Sequence, residues 1–234
     1  MRSITNRIKS IIIEKYKQPK HLVKCGEFKF KLCDNVRLNA FKKEPDLNKW
    51  IVTFRKRDIF YDIGANIGSY SMLASKFCEV YAFEPSYFAY QTLISNLNAN
   101  DCLDKVMPIN IALSKDSGIT KMYYPIKDLK KGDWGDTVNI LPYAVKMPKI
   151  SLDEAIKIFK LPKPTRLKLD VDGEEYNILK GATEALKSVR DLTVEISMDK
   201  ELIFAYLERN FKFIEQQTIG SDNLGIFNYY WRRK

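Results

Sequence analysis

The sequence lacks a long apolar run and contains few cysteines and a single histidine. No stretch reaches the roughly 18 apolar residues that a membrane-spanning helix needs, and the first residues lack a signal peptide's apolar region and small-residue cleavage site. The four cysteines form no Cys-x-x-Cys pair, and His21 alone cannot complete a usual zinc site. We therefore expect a cytoplasmic protein with free, mostly buried thiols, and we exclude a disulfide scaffold.

Acidic residues are scarce in the first quarter of the chain. Residues 1–57 contain 16 Lys or Arg against 5 Asp or Glu, whereas residues 58–234 contain 23 against 24, so the net charge of +10 comes entirely from the N-terminal part. Such a basic segment suits an anionic partner, namely RNA, an acidic membrane surface or a phosphorylated glycan carrier, or it is only a solvated basic face.

Apolar residues between Ile4 and Tyr16 recur at helical spacing among lysines and arginines, which predicts a basic amphipathic helix. This helix either docks on its own domain or lies on an anionic membrane at its inner face. A strand at 28–32 and a helix at 45–54 are predicted to follow. We thus predict a basic extension at residues 1–57 and, given the length and 45% hydrophobic content, one domain at residues 58–234.

The stretch from Asp58 to Pro85 organises the rest of the chain. An apolar run at 59–63 leads into a turn bearing Gly64 and Gly68, then a helical segment, a second apolar run and Glu84. This order predicts a strand, turn, helix and strand. The glycine turn lets a ligand approach the free backbone amides at the N-terminus of the helix. An acid about 20 residues past the glycines can accept hydrogen bonds from a ribose. The spacing differs from the Gly-x-Gly-x-x-Gly of dinucleotide sites and from a P-loop, so a nucleoside without a phosphate cradle is indicated.

Alternating strands and helices are predicted over the remaining chain. The strands are expected at 106–113, 120–124, 143–150, 166–171, 192–196, 211–215 and 226–232. The helices are expected after the cap Ser86, at 152–159 after the cap Ser151, through residue 186 following the D-G-E-E segment, and at 199–209. This order favours an α/β fold with a Rossmann-like, doubly wound, mostly parallel sheet, one antiparallel edge strand and a hairpin-like insertion within 114–165.

A second dense patch, R-L-K-L-D-V-D-G-E-E, begins at residue 166. In open parallel sheets, ligands bind at the carboxyl ends of strands beside the point where the strand order reverses. Asp170 and Asp172 follow the predicted strand at that point, and Lys168 could neutralise one of them. The sequence therefore places two candidate acids near the nucleoside site.

Taken together, these motifs resemble the FkbM family of class I S-adenosylmethionine-dependent methyltransferases. The matching pieces are D-I-G-A-N-I-G at 62–68, A-F-E-P at 82–85, N-I-A-L-S at 110–114, S-L-D-E at 151–154, K-L-D-V-D-G-E-E at 168–175, L-K-G-A at 179–182 and Glu195 at the end of the fifth strand. Two departures are visible: the family usually has Glu where Asp172 stands, and residues 120–145 match no family pattern. The acceptor is expected to be recognised by that unmatched segment.

The resemblance implies transfer of a methyl group from S-adenosylmethionine to a hydroxyl of a sugar, glycan or small natural product. A hydroxyl needs a base, so the carboxylate of Asp170 or Asp172 is the candidate catalytic base, with Lys168 as the orienting cation. Either aspartate could instead hold a backbone turn or the methionine amine of the cofactor. A magnesium ion that chelates two acceptor hydroxyls stays open because Mg²⁺ prefers oxygen ligands, but we assign no residue to a metal.

The cofactor is expected to contact eight residues along the first half of the domain. These are Asp62 near the methionine amine, the backbone of Gly64, Ala65, Asn66 and Gly68, Glu84 on the ribose, and Asn110 and Ile111 at the adenine. Four aromatic residues of the insertion either stack on a sugar ring or pack its small core: Tyr123, Tyr124, Trp134 and Tyr143.

Two other functions stay open at this point. The basic extension suits a nucleic-acid methyltransferase that acts on RNA, although no [DN]-P-P-[YFW] motif for adenine amines occurs. A non-catalytic binding module on the same fold is the other alternative, and the turn at 62–68 together with Glu84 argues against it. The oligomeric state does not follow from the sequence.

Overall fold

The computed structural model describes residues 22–25, 27–31, 44–124, 143–196, 198–221 and 227–234. The predicted amphipathic helix near the N-terminus and Trp134 lie outside these residues. None of the described helices is both long enough and apolar enough to cross a membrane.

Strands and helices alternate along the described chain. The strands are β1 (Leu22–Cys25), β2 (Phe28–Lys31), β3 (Ile59–Ile63), β4 (Glu79–Phe83), β5 (Val106–Ile109), β6 (Ala112–Ser114), β7 (Gly118–Tyr124), β8 (Tyr143–Ser151), β9 (Arg166–Leu169), β10 (Asp191–Ile196), β11 (Phe213–Ser221) and β12 (Phe227–Arg233). The helices are α1 (Pro45–Ile51), α2 (Ser69–Ala74), α3 (Tyr87–Ala99), α4 (Leu152–Phe159), α5 (Glu175–Lys180), α6 (Thr183–Leu186) and α7 (Lys200–Phe211).

A seven-stranded sheet with the order β11-β12-β10-β9-β3-β4-β5 forms the centre. The strands from β10 to β5 run parallel, and β12 runs antiparallel to both of its neighbours. Within this sheet, the chain first forms β3 in the middle. It then adds β4 and β5 on one side of β3, and later β9 and β10 on the other side. The strand order therefore reverses between β3 and β9, and the predicted doubly wound, mostly parallel sheet is confirmed.

The predicted antiparallel edge is present, since the edge strand β11 pairs antiparallel with β12, and the antiparallel pairing also continues one strand further in. β12 lies one position inside, between β10 and β11. It carries Trp231, which is fully buried, and such a side chain needs cover from neighbours on both sides. Residues Gln216 to Thr218 of β11 are exposed, which suits the edge position.

Two apolar layers cover the two faces of this sheet. Alternate residues of each strand point to opposite faces, so Tyr61 and Ile63 belong to one core cluster and Phe60 to the other. The cluster around Phe60 also contains Leu47 and Trp50. The described part of the predicted N-terminal extension thus packs on the same core as the central strands.

Both predicted helix caps are confirmed. The Ser86 hydroxyl accepts a hydrogen bond from the backbone N–H of Ala89 at the start of α3, and Ser151 accepts one from Glu154 at the start of α4. Acidic residues in the first turn of α4 add a favourable interaction with the helix dipole. These local hydrogen bonds set where each helix begins.

The strand predicted at 106–113 is two strands in different sheets. β5 belongs to the central sheet, whereas β6 pairs in parallel with β8 in a three-stranded sheet of order β6-β8-β7. The side-chain amide of Asn110 donates to the carbonyl oxygens of Glu84 at 2.8 Å and Pro85 at 3.0 Å, and this pulls the chain away from the central sheet. β7 and β8 pair antiparallel, as predicted for the hairpin-like insertion.

The helix predicted to run through residue 186 is broken into α5 and α6. Gly181 separates them, and a Cβ there would come within 2.3 Å of the Ser114 carbonyl oxygen. The Asp153 carboxylate accepts hydrogen bonds from the N–H groups of Glu184 and Ala185, both at 2.8 Å, and so supplies a cap for the second helix. The break depends on a contact with a distant part of the chain, and the helical periodicity of the sequence does not predict such a contact.

Candidate active site

The glycine turn after β3 lies against the end of β9. Gly64 and Gly68 have positive φ values of 78° and 88°, and Asn66 also adopts a left-handed conformation with a φ of 50°. A Cβ on Gly64 would lie 1.7 Å from the Asp170 carbonyl oxygen, and one on Gly68 would lie 2.4 Å from the Leu93 side chain. Both glycines are therefore required for close packing, and the turn directly adjoins the predicted catalytic patch.

Glu84 ties this turn to the start of α3. One carboxylate oxygen accepts a hydrogen bond from the Asn66 N–H and the other accepts one from the Ser86 N–H, both at 2.8 Å. The Gly64 and Ala65 N–H groups donate to the Phe83 carbonyl just before it, each at 3.0 Å. The predicted cofactor residues of β3, β4 and the turn are thus brought together at one end of the sheet.

Asn110 and Ile111 complete this side of the site. Asn110 holds the chain after β4 through the carbonyl oxygens of Glu84 and Pro85. Ile111 is half-buried against the apolar cluster on one face of the sheet. Both follow β5, which is adjacent to β4, so they stand beside Glu84 rather than beside β9.

Lys168 is the buried cation at the point where the strand order reverses. It pairs in register with Asp62 on β3 and with Thr193 on β10. Its Nζ lies 2.8 Å from Asp170 Oδ2 and 3.6 Å from Asp62 Oδ1. Burial by itself lowers the pKa of this amine, but the carboxylates of Asp170 and Asp62 outweigh burial and raise the pKa, so Lys168 stays charged.

Asp62 lies beneath the turn. Its side chain is 1% exposed, and Oδ2 accepts a hydrogen bond of 2.6 Å from the Ser71 hydroxyl. Burial raises the pKa of this carboxyl, and the nearby Lys168 opposes that effect. Asp170, in contrast, has a side chain that is 31% exposed. Of the two carboxylates bonded to Lys168, Asp170 is therefore the one that a ligand can reach.

Asp170 and Glu195 are the next residues beyond the paired ends of the adjacent parallel strands β9 and β10, and their carboxyl groups are close enough to change each other's pKa. Glu195 is half-buried and also accepts a hydrogen bond of 3.3 Å from the Asn228 amide. Burial and the neighbouring Asp170 charge raise the pKa of Glu195 to about 9. Burial also disfavours the charged form of Asp170, yet Lys168 and Glu195 hold the pKa of Asp170 below its usual value.

Asp172 lies in the exposed turn that follows β9. Its φ of 53° is left-handed. The acid that holds this turn is Glu175, whose buried carboxylate accepts a hydrogen bond of 2.9 Å from the Gly173 N–H. Lys168, Asp170 and Asp172 thus lie along one strand end, with Lys168 buried and Asp172 outermost.

Glu44 and Tyr70 were not predicted as part of the site. The Tyr70 hydroxyl donates a hydrogen bond to Glu44, and its ring lies 5.3 Å from Lys168 Nζ. Glu44 is half-buried, immediately before α1, and close enough to Lys168 and Asp170 for their charges to change its pKa; burial is the larger effect and raises it. No motif marks Glu44 in the sequence, since its position depends on how α1 packs.

No group of three or more His, Cys, Asp or Glu side chains in the described part of the chain is arranged to hold a metal ion. Tyr123, a candidate to stack on a sugar ring, lies in β7, and its side chain is 59% exposed.

Cys78 and Cys102 are free and buried, as expected for thiols outside a disulfide scaffold.

Comparison with known proteins identifies the relatives of this chain. The family model described as "Methyltransferase FkbM domain" matches residues 62–218. Hexuronic acid methyltransferase AglP of Haloferax volcanii is 30% identical over 161 residues, which are 68% of this chain and 65% of that protein. The chain thus spans less than two thirds of the length of this curated relative.

Solved structures share the fold. A methyltransferase FkbM from Methylobacillus flagellatus KT superposes with a TM-score of 0.57 at 16% identity, covering 76% of this chain and 44% of that one. A precorrin-6y C5,15-methyltransferase from Geobacter metallireducens GS-15 superposes with a TM-score of 0.51 at 12% identity, covering 94% of this chain and 95% of that one. These likenesses concern the Rossmann-like methyltransferase fold.

Proposed function

Because the chain belongs to the FkbM methyltransferase family, we propose that it transfers the methyl group of S-adenosylmethionine to an oxygen of a sugar or glycan. The observation that carries this proposal is the contact between the glycine turn and the end of β9, where a Cβ on Gly64 would meet the Asp170 carbonyl. It brings the cofactor motif and the candidate base to the same edge of the sheet.

The donor set of the site fits this cofactor. S-adenosylmethionine supplies an electrophilic methyl group on a positively charged sulfonium. Four carboxyl groups surround Lys168, which is the one cation of the cluster within the described ranges; they belong to Asp62, Asp170, Glu195 and Glu44. A cation is favoured where acidic groups outnumber basic ones. The backbone of the turn and Glu84 would hold the adenosine side, as the family pattern implies.

Asp170 is the base that we propose for a hydroxyl acceptor. Its side chain is 31% exposed and is oriented by the 2.8 Å contact with Lys168. In-line methyl transfer is fastest when the two partners are held close and aligned, and the hydroxyl proton must leave to a nearby acceptor. Asp172, farther out in the same turn, is the alternative base.

A sugar is the acceptor class that the relative supports. AglP is named for hexuronic acid, a sugar that offers both hydroxyl and carboxylate oxygens. We propose a hydroxyl as the methylated group, recognised near the β7–β8 hairpin where Tyr123 exposes its ring. Aromatic rings of this kind present an apolar face to a sugar and a polar hydroxyl at the edge.

The proposal is tested with methyl-labelled S-adenosylmethionine and a panel of free and glycan-linked hexuronic acids, neutral hexoses and RNA. We expect label in a sugar, in a bond that survives mild alkali because it is an ether. A product that loses its label in alkali is an ester, and it would move the methyl group to the carboxylate. Label in RNA alone would overturn the sugar proposal.

A further inference from the structure

Among the residues that the structure describes, the buried charges at this end of the sheet do not balance. Lys168 contacts both Asp170 and Asp62, whereas Glu195 and Glu44 add two more acids within range of the same lysine. If all four carboxyl groups were ionised, the cluster would carry three excess negative charges. Excess charge in a partly buried site is relieved by binding a cation or by retaining protons.

The position of Glu195 beside Asp170 favours retention of a proton. The parallel pairing of β9 and β10 ends at Leu169 and Val194, so these two acids follow side by side. Two neighbouring carboxyl groups in a partly buried site repel each other when both are ionised, and one retained proton removes that repulsion and lets one group donate to the other. The Asn228 amide donates to Glu195, and Lys168 donates to Asp170. Both outer donors favour charge on the pair, while the partner acid opposes it. The pKa of Glu195, raised to about 9 by burial and Asp170, is consistent with Glu195 as the carrier of the proton at neutral pH.

We propose that Glu195 is a proton-holding partner of Asp170, and that the pair releases its proton when the sulfonium of the cofactor binds beside it; this inference rests on the proposed function. The positive charge of the sulfonium thereby replaces the positive charge of the proton. Glu195 acts through Asp170 and is a positioning residue rather than a group that touches the acceptor.

The exchange also balances the reaction. As the bond between the acceptor oxygen and the methyl carbon forms, the bond between that carbon and sulfur breaks, and sulfur keeps the electron pair. The hydroxyl proton moves to the Asp170–Glu195 pair, which regains the proton it lost. The sulfonium charge disappears in the same step, so the net charge of the site is the same before and after. The doubly ionised pair is also a stronger base than the singly ionised one, and it forms only when the methyl donor is present.

Other groups face the pair from each neighbouring element. They are Lys168 on β9, Asp62 on β3, Tyr70 on α2, Glu44 before α1, Glu175 on α5 and Asn228 on β12. Lys168 stays charged and Tyr70 stays neutral because the pKa of each is raised. Glu44 is the competing source of a released proton, since burial raises its pKa as well.

The test is isothermal titration calorimetry of S-adenosylmethionine and S-adenosylhomocysteine at about pH 7.5 in phosphate and in Tris. The difference in binding enthalpy between two buffers counts the protons released. The two ligands share their amine, carboxylate and adenosine and differ in the sulfonium charge. We expect release of roughly half to one proton with S-adenosylmethionine and close to none with S-adenosylhomocysteine.

Variants locate the proton. Glu195→Gln keeps the side-chain shape, so it should bind S-adenosylmethionine with little proton release. The control Glu208→Gln, an exposed acid of α7, should release as much as the wild type. Glu44→Gln should also keep the release. Loss of the release in Glu44→Gln with retention in Glu195→Gln would overturn the assignment.

The wild-type protein alone can refute the inference, even if a variant fails to fold. Equal proton release with both ligands would refute the exchange of the proton for the sulfonium charge, but it would leave the conclusion that the cofactor binds unchanged. Absence of binding by either ligand would instead refute the proposed function, so the two failures are distinguishable.

Discussion

Two charged clusters are centred on β3, β9 and β10, one at the amino ends of these strands and the other at their carboxyl ends, and each includes side chains from neighbouring segments. The amino-end cluster consists of Asp58, Arg166, Arg190, Asp191 and Arg232, and the carboxyl-end cluster of Asp62, Lys168, Asp170, Glu195 and Glu44. Along each of β3, β9 and β10, at most one residue of the same sheet face separates the two clusters. They differ in their balance of charge.

The amino-end cluster has at least as many cations as acids. The Asp58 carboxylate forms ion pairs with Arg190 at 2.9 Å and with Arg166 at 3.3 Å. The Asp191 carboxylate forms ion pairs with Arg166 and, at 2.7 Å, with Arg232. Burial opposes ionisation of Asp58, but the Arg55 N–H and the arginines hold its pKa below the usual value. Each acid there pairs with at least two arginine side chains, which is what a buried structural network needs.

In the part of the chain that the structure describes, the carboxyl-end cluster has one cation for four acids, and burial raises the pKa values of Asp62, Glu44 and Glu195. The comparison suggests that a balanced buried network stabilises the fold, whereas an unbalanced one is kept for a ligand or a proton. Perturbed acids at a strand end are where function is expected.

The largest effect should come from removing the proposed base at the carboxyl end. Asp170→Asn should lower kcat/KM by about 10²- to 10⁴-fold, the usual contribution of a general base, with little loss of stability because an acid leaves an acid-rich cluster. Methyl transfer and urea unfolding measure the two quantities. Asp172→Asn is the matched control, and a larger loss there would reassign the base.

Breaking the amino-end cluster should do the reverse. Arg166→Met leaves Asp58 and Asp191 with fewer partners in a buried site, and we expect the free energy of unfolding to fall by about 3 kcal/mol. Denaturant unfolding tests this, with Lys187→Met as the control because its ion pair with Glu184 is exposed on both sides. Similar losses in the two variants would contradict a structural role for the network.

An acid outside both clusters sharpens the comparison. Glu84→Ala should weaken binding of S-adenosylmethionine and S-adenosylhomocysteine alike by roughly 1 to 3 kcal/mol, because a charged hydrogen bond to the ribose is lost. Calorimetry measures both affinities. Glu84→Gln keeps the shape that supports Asn66 and Ser86 and should show a smaller loss; unchanged affinity in both variants would refute the ribose role.

The smallest effect is the opposite pH dependence of the two clusters. Glu195 has a raised pKa, so its contribution is complete below the unfolded value and is lost as pH rises through about 9. Asp58 has a lowered pKa, so its contribution is present above the unfolded value and is lost in acid. Relative to the wild type, Glu195→Gln should gain at least about 1 kcal/mol of stability between neutral pH and pH 9. A constant difference across that range would contradict the raised pKa.

Local rules were sufficient for several features of the fold. The glycine turn, the acid that closes β4, the caps Ser86 and Ser151 and the hairpin of β7 and β8 were all predicted from residue types at fixed spacing. The break at Gly181 and the division of residues 106–114 between two sheets were not. Both depend on contacts with distant chain, namely Ser114 against Gly181 and Asn110 against the carbonyl oxygens after β4.

The sequence by itself determined the order strand, glycine turn, helix, strand and acid, because conformational preference and hydrogen bonding over a few residues decide those elements. It also identified Lys168, Asp170 and Asp172 as one candidate patch, since they are adjacent in the chain. Only the tertiary structure decided that Asp62, Glu195 and Glu44 share that lysine. Strand register aligns Asp62 with Lys168 and sets Glu195 beside Asp170, and the packing of α1 brings Glu44 to them. Charge balance in a buried site is a sum over such neighbours, so it exists only once the strands are paired.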